Sequence, residues 1–279
     1  MQFGTRKTIE DDVLASLQDK PMIILDLIAL LQRRNANLTK QGVYYAIRKL
    51  RAAQMVVVEK GKVSLNASWI QEMENYFSHA KQTYLHQHSQ PGSFLGLSDK
   101  EKISYHFKDA IATDVFWNHA ITILLSSISP SEPFIAYNPH AWFFIAHPQN
   151  EIALRDNVTQ MGRQYFVTVG YKTPLDAYAK KFFDNEMSQY HMLEYPQFEK
   201  ENYYLNILDD FLIEVYIDTH ISKCIHTFYL KQKKFDKHTP ETFNAILKSR
   251  GKIRLVISRN EKKAKRLKGK LLRHFHKIK

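Results

Sequence analysis

The side chains best able to hold a polyanion gather near the start of the chain. In the stretch LTKQGVYYAIRKLRAAQ, Val43, Ala46, Ile47 and Leu50 recur at i, i+3, i+4 and i+7, the stripe of a helix that buries one face. The opposite face then carries Thr39 and Lys40 at its start and Gln41, Tyr44, Tyr45, Arg48 and Arg51 along it. Such a face suits the ~12 Å major groove of duplex DNA: Gln41 could pair with adenine, and Arg48 with guanine or a phosphate. Arg33, Arg34 and Lys49 are placed for phosphates, and Lys60 and Lys62 flank a Gly61 turn that puts two more cations on a hairpin tip. In that arrangement phosphate contacts hold the register while the helix reads bases.

A second group of reactive types follows an apolar run. YNPHAW, with Tyr137, Asn138, His140 and Trp142, begins at the last residue of PFIAY and runs on where an α/β sheet usually places ligand loops. They could line a pocket for a small-molecule effector, or the loop could simply pack against the sheet edge. His86-x-His88 and His274-x-His276 sit near the ends of expected helices; residues two apart on a helix point away from each other, so no metal is expected. No G-x-x-x-x-G-K-[ST], G-x-G-x-x-G, H-E-x-x-H or G-x-S-x-G motif occurs, so no cofactor and no catalytic residue is expected. The single cysteine, Cys224, excludes an internal disulfide framework and a multi-thiolate metal site and fits a cytoplasmic protein.

The elements that must position these residues can be read in order. TIEDDVLASLQ spaces Ile9, Val13, Leu14 and Leu17 on one face, with acids in the first turn. Pro21 suits the first position of a second helix, PMIILDLIALLQRR, and Thr39 caps the third. MVVVEK and KVSL read as a hairpin turning at Lys60-Gly61. Asn66 then caps a long helix, ASWIQEMENYFSHAKQTYLHQH, with Trp69, Met73, Tyr76, Phe77, Ala80 and Tyr84 on one side. That apolar side can pack on a second copy, giving a homodimer, or on the following domain. SQPGSFLGLSD has linker composition.

Beyond it, helical and strand patterns alternate: DAIATDVFWNHAITILLSSI, PFIAY, NEIALRDNVTQM, YFVTV, PLDAYAKKFF, YHMLEY, the pair YYLNIL and FLIEVYI, helices around 221–233 and 240–248, KIRLVIS, and a last helix at 261–276. AWFFIA fits strand or helix equally. The expected class is α/β overall: an N-terminal winged helix (1–66), a long connecting helix (67–88), a linker (89–97) and a C-terminal α/β sandwich-type domain (98–279). No apolar run is long enough to span a membrane.

Charge divides the same way. Residues 1–66 carry 11 Lys and Arg against 6 acids, residues 67–247 carry 15 against 21, and residues 248–279 carry 14 against Glu261 alone. In the last helix Ala264, Leu267, Leu271 and Phe275 form an apolar stripe with Lys262, Lys263, Arg266, Lys270 and Arg273 around it, a docked helix with an outward basic face. Two basic ends around an acidic middle suit a polyanion-binding protein with a separate ligand or assembly domain.

Residues 8–66 resemble the winged-helix transcriptional regulators: a Thr-Lys-Gln start to the recognition helix, aromatic and basic residues on its open face, and a VVVEKGKVSL wing. Gln54 stands where such proteins usually place glycine at the helix exit. The region from 98 onward, through YYLNILDDFLIEVYI, resembles the TrmB-like effector domains, whose phospholipase-D-like fold has lost catalysis. The H-x-K-x-x-x-x-D signature of phospholipase D is missing, since HISK at His220 puts the lysine one residue late. The resemblance implies a non-enzymatic, dimeric, sequence-specific regulator of transcription bound to double-stranded DNA. Two other classes compete with it: a nucleic-acid-processing enzyme that docks through the winged helix, and a protein-interaction adaptor.

Overall fold

The computed structural model describes residues 8–85, 93–236 and 238–275. His86, His88, residues 89–92 of the expected linker and His276 lie outside them. Contacts divide the chain into two units, Met1–Tyr84 and Leu85–Lys279.

In the first unit, α1 (Ile9–Ser16) begins at a capping box. Thr8 Oγ1 accepts from the Asp11 amide while the Asp11 carboxylate accepts from the Thr8 amide. Next come β1 (Met22–Ile23), α2 (Ile24–Arg34), α3 (Lys40–Ala52), β2 (Val56–Glu59), β3 (Lys62–Leu65) and α4 (Ala67–Leu85). The strands form an antiparallel sheet in the order β1-β3-β2. Val13, Leu27, Leu31, Val43, Ala46, Ile47, Leu50 and Val63 make the core. The helix expected from Pro21 starts three residues later. Met22 and Ile23 pair with Val63 and Lys62, and the Ile24 amide donates to the Gly61 carbonyl, so sheet hydrogen bonds outweigh a helical first turn. Lys60 and Gly61 both have positive φ (47° and 76°), the geometry of a two-residue hairpin turn whose twist matches its strands.

Gln54 resolves the departure seen in the sequence. Its φ is 59°, so it occupies the left-handed exit position that glycine usually fills. The Met55 amide reaches back to the Leu50 carbonyl at 2.9 Å, and Asn66 Nδ2 donates to the Gln54 carbonyl at 2.7 Å. Those bonds hold a conformation that costs a non-glycine residue about 1 kcal/mol.

The second unit is a mixed α/β structure around one seven-stranded sheet. Its elements are β4 (Lys102–Phe107), α5 (Ala110–Ser127), β5 (Phe134–Asn138), α6 (Phe143–Ala146), α7 (Pro148–Gln160), β6 (Tyr165–Val169), α8 (Pro174–Phe183) and β7 (Ser188–Met192). They continue with β8 (Tyr203–Leu208), β9 (Phe211–Tyr216), α9 (Thr219–Lys231), α10 (Thr239–Leu247), β10 (Ile253–Arg259) and α11 (Glu261–Leu271). The strand order is β4-β10-β9-β8-β5-β6-β7. Only β5–β6 and β6–β7 are parallel; every other pairing is antiparallel. Every residue of β5, β6 and β8 is buried, because helices cover both faces. On one face Trp117, Leu124, Val158, Leu175 and Ile225 pack with Phe134, Ala136 and Val167. On the other, Ala264, Leu267 and Leu271 of α11 pack with Ile135, Tyr137, Phe166 and Leu205.

AWFFIA, open between strand and helix, contains the short helix α6. The unforeseen strand is β4, whose KISYHF holds only half-buried apolar positions at the sheet edge. β7 lies two residues earlier than YHMLEY indicated, since Tyr165 registers with Ser188. Among the described residues no helix is long and apolar enough to cross a membrane.

Arg163 is fully buried, and no ion pair of its guanidinium is formed among the described residues. It donates instead to the carbonyls of Ile128 (2.8 Å), Leu125 (3.5 Å) and Glu132, binding the negative end of α5 and the turn after it. Arg163→Ala strands those carbonyls and is expected to destabilise the protein by about 3 kcal/mol, read from the urea midpoint. Lysine is expected to rescue little, because a single ammonium cannot reach what the planar fork reaches.

Candidate functional site

The twelve N-terminal residues divide by what engages them. Lys40, Gln41, Tyr44, Tyr45, Arg48 and Arg51 are all exposed on one side of α3, opposite the buried Val43, Ala46, Ile47 and Leu50. Tyr45 is 64% exposed, unusual for a tyrosine and available for stacking. Thr39 caps α3 by accepting from the Gly42 amide at 3.0 Å. Lys49 is already paired with Glu10 at 2.8 Å, and Arg34 reaches Ser16 Oγ at 3.4 Å. Arg33, Lys60 and Lys62 are exposed.

Tyr137, Asn138, His140 and Trp142 are all buried and do not share one pocket. Tyr137 and Asn138 are neighbours on β5, so their side chains leave opposite faces of the sheet. Tyr137 packs on Phe198 on the α11 side. Asn138 faces a small cavity under α5 and α7. Trp142 stacks among Phe143 and Phe243. His140 enters a hydrogen-bonded series with other titratable side chains.

That constellation stands at the carboxyl ends of the parallel strands β5 and β6, where ligand sites of α/β sheets form. His140 follows β5, Tyr171 and Thr173 follow β6, Asp176 lies in the first turn of α8, and His226 is on α9. His140 Nδ1 is 3.0 Å from Asp176 Oδ2, and His140 Nε2 is 2.9 Å from His226 Nδ1. Asp176 is fully buried and also accepts from the Thr173 hydroxyl (2.7 Å) and the Ala141 amide (3.1 Å). The His140 ring is sandwiched between Tyr229 and Tyr171, with centroids at 4.3 and 5.1 Å, which leaves it one orientation.

The hydrogen bonds order the protons. With Nδ1–H given to Asp176, a neutral His140 offers Nε2 as acceptor; His226 then donates Nδ1–H and keeps its lone pair on Nε2. His226 is only half-buried, so the chain Asp176–His140–His226 runs from the interior to the surface. Burial, then the neighbouring His140, lowers the pKa of His226 from its ordinary value, favouring the neutral base at neutral pH. Tyr171 packs on the His226 ring and donates to Glu201 at 3.1 Å. Its hydroxyl is pushed up to about 12 by burial and then by Glu201, so it stays protonated. Such an arrangement can take a proton from a hydroxyl or water and return it to a leaving group.

Asp176 and His226 were absent from the candidates read in the sequence. Thr173-Pro174-Leu175-Asp176 is a visible helix start, and the cap is real, yet the same carboxylate also holds His140. His226 lies 86 residues from its partner, so no local pattern marks it.

The basic stripe on α11 is partly consumed inside the unit: Lys263 pairs with Glu214 at 2.6 Å, Lys268 with Glu132 at 2.8 Å, and Lys270 donates to the Gln197 carbonyl. Lys262, Arg266 and Arg273 are exposed.

Neither family models nor curated proteins match this chain. Among solved structures, the phosphatidylserine synthase of Haemophilus influenzae Rd KW20 aligns over 85% of this chain at 10% identity and a TM-score of 0.34. The alignment covers 47% of that structure, so this chain spans about half its length. A likeness of that degree carries no argument about fold or reaction. That structure is named as an enzyme, and the expected kinship with winged-helix and TrmB-like regulators has no match among family models or curated proteins. The sequence-specific transcriptional regulator, the TrmB-like effector domain and the absence of catalytic activity are corrected accordingly: no match stands behind any of them.

Proposed function

We propose that the chain is an acid–base enzyme acting on nucleic acid, with His226 as the group that moves the proton and His140 and Asp176 as the residues that position it. The observation that carries this reading is the unbroken hydrogen-bonded series from fully buried Asp176 through His140 to half-exposed His226. A hydrogen-bonded base oriented by a second buried group is the arrangement that activates nucleophiles in unrelated hydrolases. The substrate class is supported by the open face of α3, which carries Lys40, Gln41, Tyr44, Tyr45, Arg48 and Arg51 and buries none of them. In this reading the first unit is a winged helix that docks duplex DNA, with Thr39, Lys49, Arg33, Arg34, Lys60 and Lys62 along the phosphates. The second unit is the sandwich-type catalytic domain, and the protein works in the cytoplasm.

The test is a turnover screen of the full chain on end-labelled single- and double-stranded DNA and RNA. Product formation lost in His226→Ala supports the reading. No turnover of any polymer, or turnover that His226→Ala leaves intact, removes it. A Tyr44→Ala/Arg48→Ala pair is expected to raise KM about tenfold or more while leaving kcat unchanged, since docking contacts are made equally before and during the reaction.

We further propose that α4 pairs with a second copy. Ile70, Tyr76, Phe77 and Tyr84 are exposed on it, more apolar surface than a solvated helix ordinarily shows. Light scattering that gives a monomer mass at micromolar concentration removes the dimer.

A further inference from the structure

The cavity beneath α5 and α7 lies apart from the histidine chain and has its own chemistry. Asp114 of α5 and Glu151 of α7 line it together with Asn138 of β5 and Asn206 of β8. Both carboxyls are at least nine-tenths buried, and among the described residues no cation stands within ion-pairing distance of either. Arg155, one turn after Glu151, is turned away to Asp156 and the Phe182 carbonyl. Asp114 receives one hydrogen bond, from Asn118 at 3.0 Å. Asn138 is 6% exposed, and its Oδ1 has no partner although it borders the cavity. Asn206 Oδ1 is fixed by the Trp117 indole N–H at 2.5 Å.

A buried, unpartnered carbonyl oxygen beside two carboxyls without a counter-ion is unfavourable as it stands. The space between them is about 30 Å³, the share of one water or one small ion. The donors are all oxygen: two carboxyls and two amide carbonyls. With two carboxyls the cavity has fewer than the three His, Cys, Asp or Glu of a usual metal cluster, of which none exists among the described residues. Its lining holds no Cys or His, so the soft and borderline metals that prefer thiolate and imidazole are poorly served. Hard cations take such mixed carboxylate and amide oxygens and complete their shells with water.

We propose that this cavity binds a hard divalent cation, calcium or magnesium, through Asp114, Glu151, Asn138 and Asn206. Bound there, the ion ties α5 and α7 to the carboxyl end of β5. Asn138 is the last residue of that strand and His140 is two residues further on, so the ion also steadies the loop that carries His140. The site is independent of the reading of His226 as the proton-transferring group and stands or falls without it.

The experiment titrates calcium, magnesium and, as a magnetic probe, manganese into the chelator-stripped full chain, followed by calorimetry and by the thermal midpoint. The wild type is expected to take up one equivalent with a Kd at or below about 1 mM, the weakest class of oxygen-ligated protein sites. Its midpoint is expected to rise with cation concentration as mass action requires. Glu151→Gln is expected to weaken binding at least tenfold, and Asn138→Asp, which adds a third carboxylate, to tighten it by a similar factor. Absence of heat and of any midpoint shift in the wild type with all three cations overturns the proposal. A response of equal size in all three proteins also overturns it, because the ion is then held elsewhere. Should Glu151→Gln fail to fold, the wild-type isotherm and Asn138→Asp decide alone, since Asn138→Asp binding no tighter than wild type overturns it equally.

Discussion

Asp176→Asn is expected to lower kcat about 10²- to 10⁴-fold, the range that positioned acid–base groups contribute, while KM stays within a factor of a few. The substitution keeps size and shape, and the Thr173 cap can still form, so the thermal midpoint should move little. What changes is the direction of the protons. An asparagine that turns its amide nitrogen toward His140 donates to Nδ1 where the carboxylate accepted. His140 must then carry its hydrogen on Nε2 and donate to His226 Nδ1, which becomes an acceptor and leaves the hydrogen of His226 on Nε2. The surface nitrogen then offers no lone pair to a substrate proton. A merely structural role for Asp176 predicts a different pattern: a lowered midpoint and residual activity with the wild-type pH profile. In the wild type the acidic limb of kcat should lie below the ordinary imidazole range, because burial and His140 lower the pKa of His226. Undiminished kcat in Asp176→Asn would end the assignment.

How much of this could be read in the residues depends on the range of the interaction that decides each feature. α3 was legible because its stripe at Val43, Ala46, Ile47 and Leu50 and its Thr39 cap are local, and the structure buries those four and caps with that threonine. The same holds for the Lys60-Gly61 turn and for α8 behind Thr173 and Pro174. The start of α2 was not legible, because pairing with β3 across about 40 residues of chain converts Met22 and Ile23 to strand. β4 was legible and overlooked: Ile103, Tyr105 and Phe107 alternate with polar residues, and the structure half-buries those three and exposes the others. Of YNPHAW, the residue types were informative and their grouping was not. Strand alternation sends Tyr137 and Asn138 to opposite faces, so only His140 joins the Asp176–His226 series. The partners that give His140 its role arrive from α8 and α9. Winged-helix kinship rested on the face of α3 and the hairpin, features that many docking modules share, and TrmB-like kinship on the order of elements and YYLNILDDFLIEVYI, a buried strand pair that marks a sheet and not a site.

The largest effect on stability is expected from pH acting on the buried carboxyls, measured in chelator so that no cation occupies the cavity. Burial pushes Asp114 up to about 7, and burial together with Asp114 pushes Glu151 up to about 8. The ordinary values are 3.8 and 4.5. Between those limits the folded protein holds protons that the unfolded chain has released. Stability from these groups is therefore complete below about pH 4 and is lost as pH rises through 7 and 8. Each pKa unit is worth about 1.4 kcal/mol, so each group loses on the order of 4 kcal/mol across that interval, a sizeable part of the 5–15 kcal/mol that holds a typical domain. The urea midpoint in chelator should fall steeply from pH 5 to pH 8.5. Asp114→Asn, which imitates the protonated acid, should flatten that fall and leave the variant more stable than wild type at pH 8. It removes one ionisation outright and one repulsion from Glu151. A midpoint that rises over the same interval would mean that these carboxyls are ionised in the folded protein, with a counter-charge in the cavity even after chelation. Added divalent cation should oppose the fall in the wild type and do less in Asp114→Asn, because the charge that the ion would balance has gone.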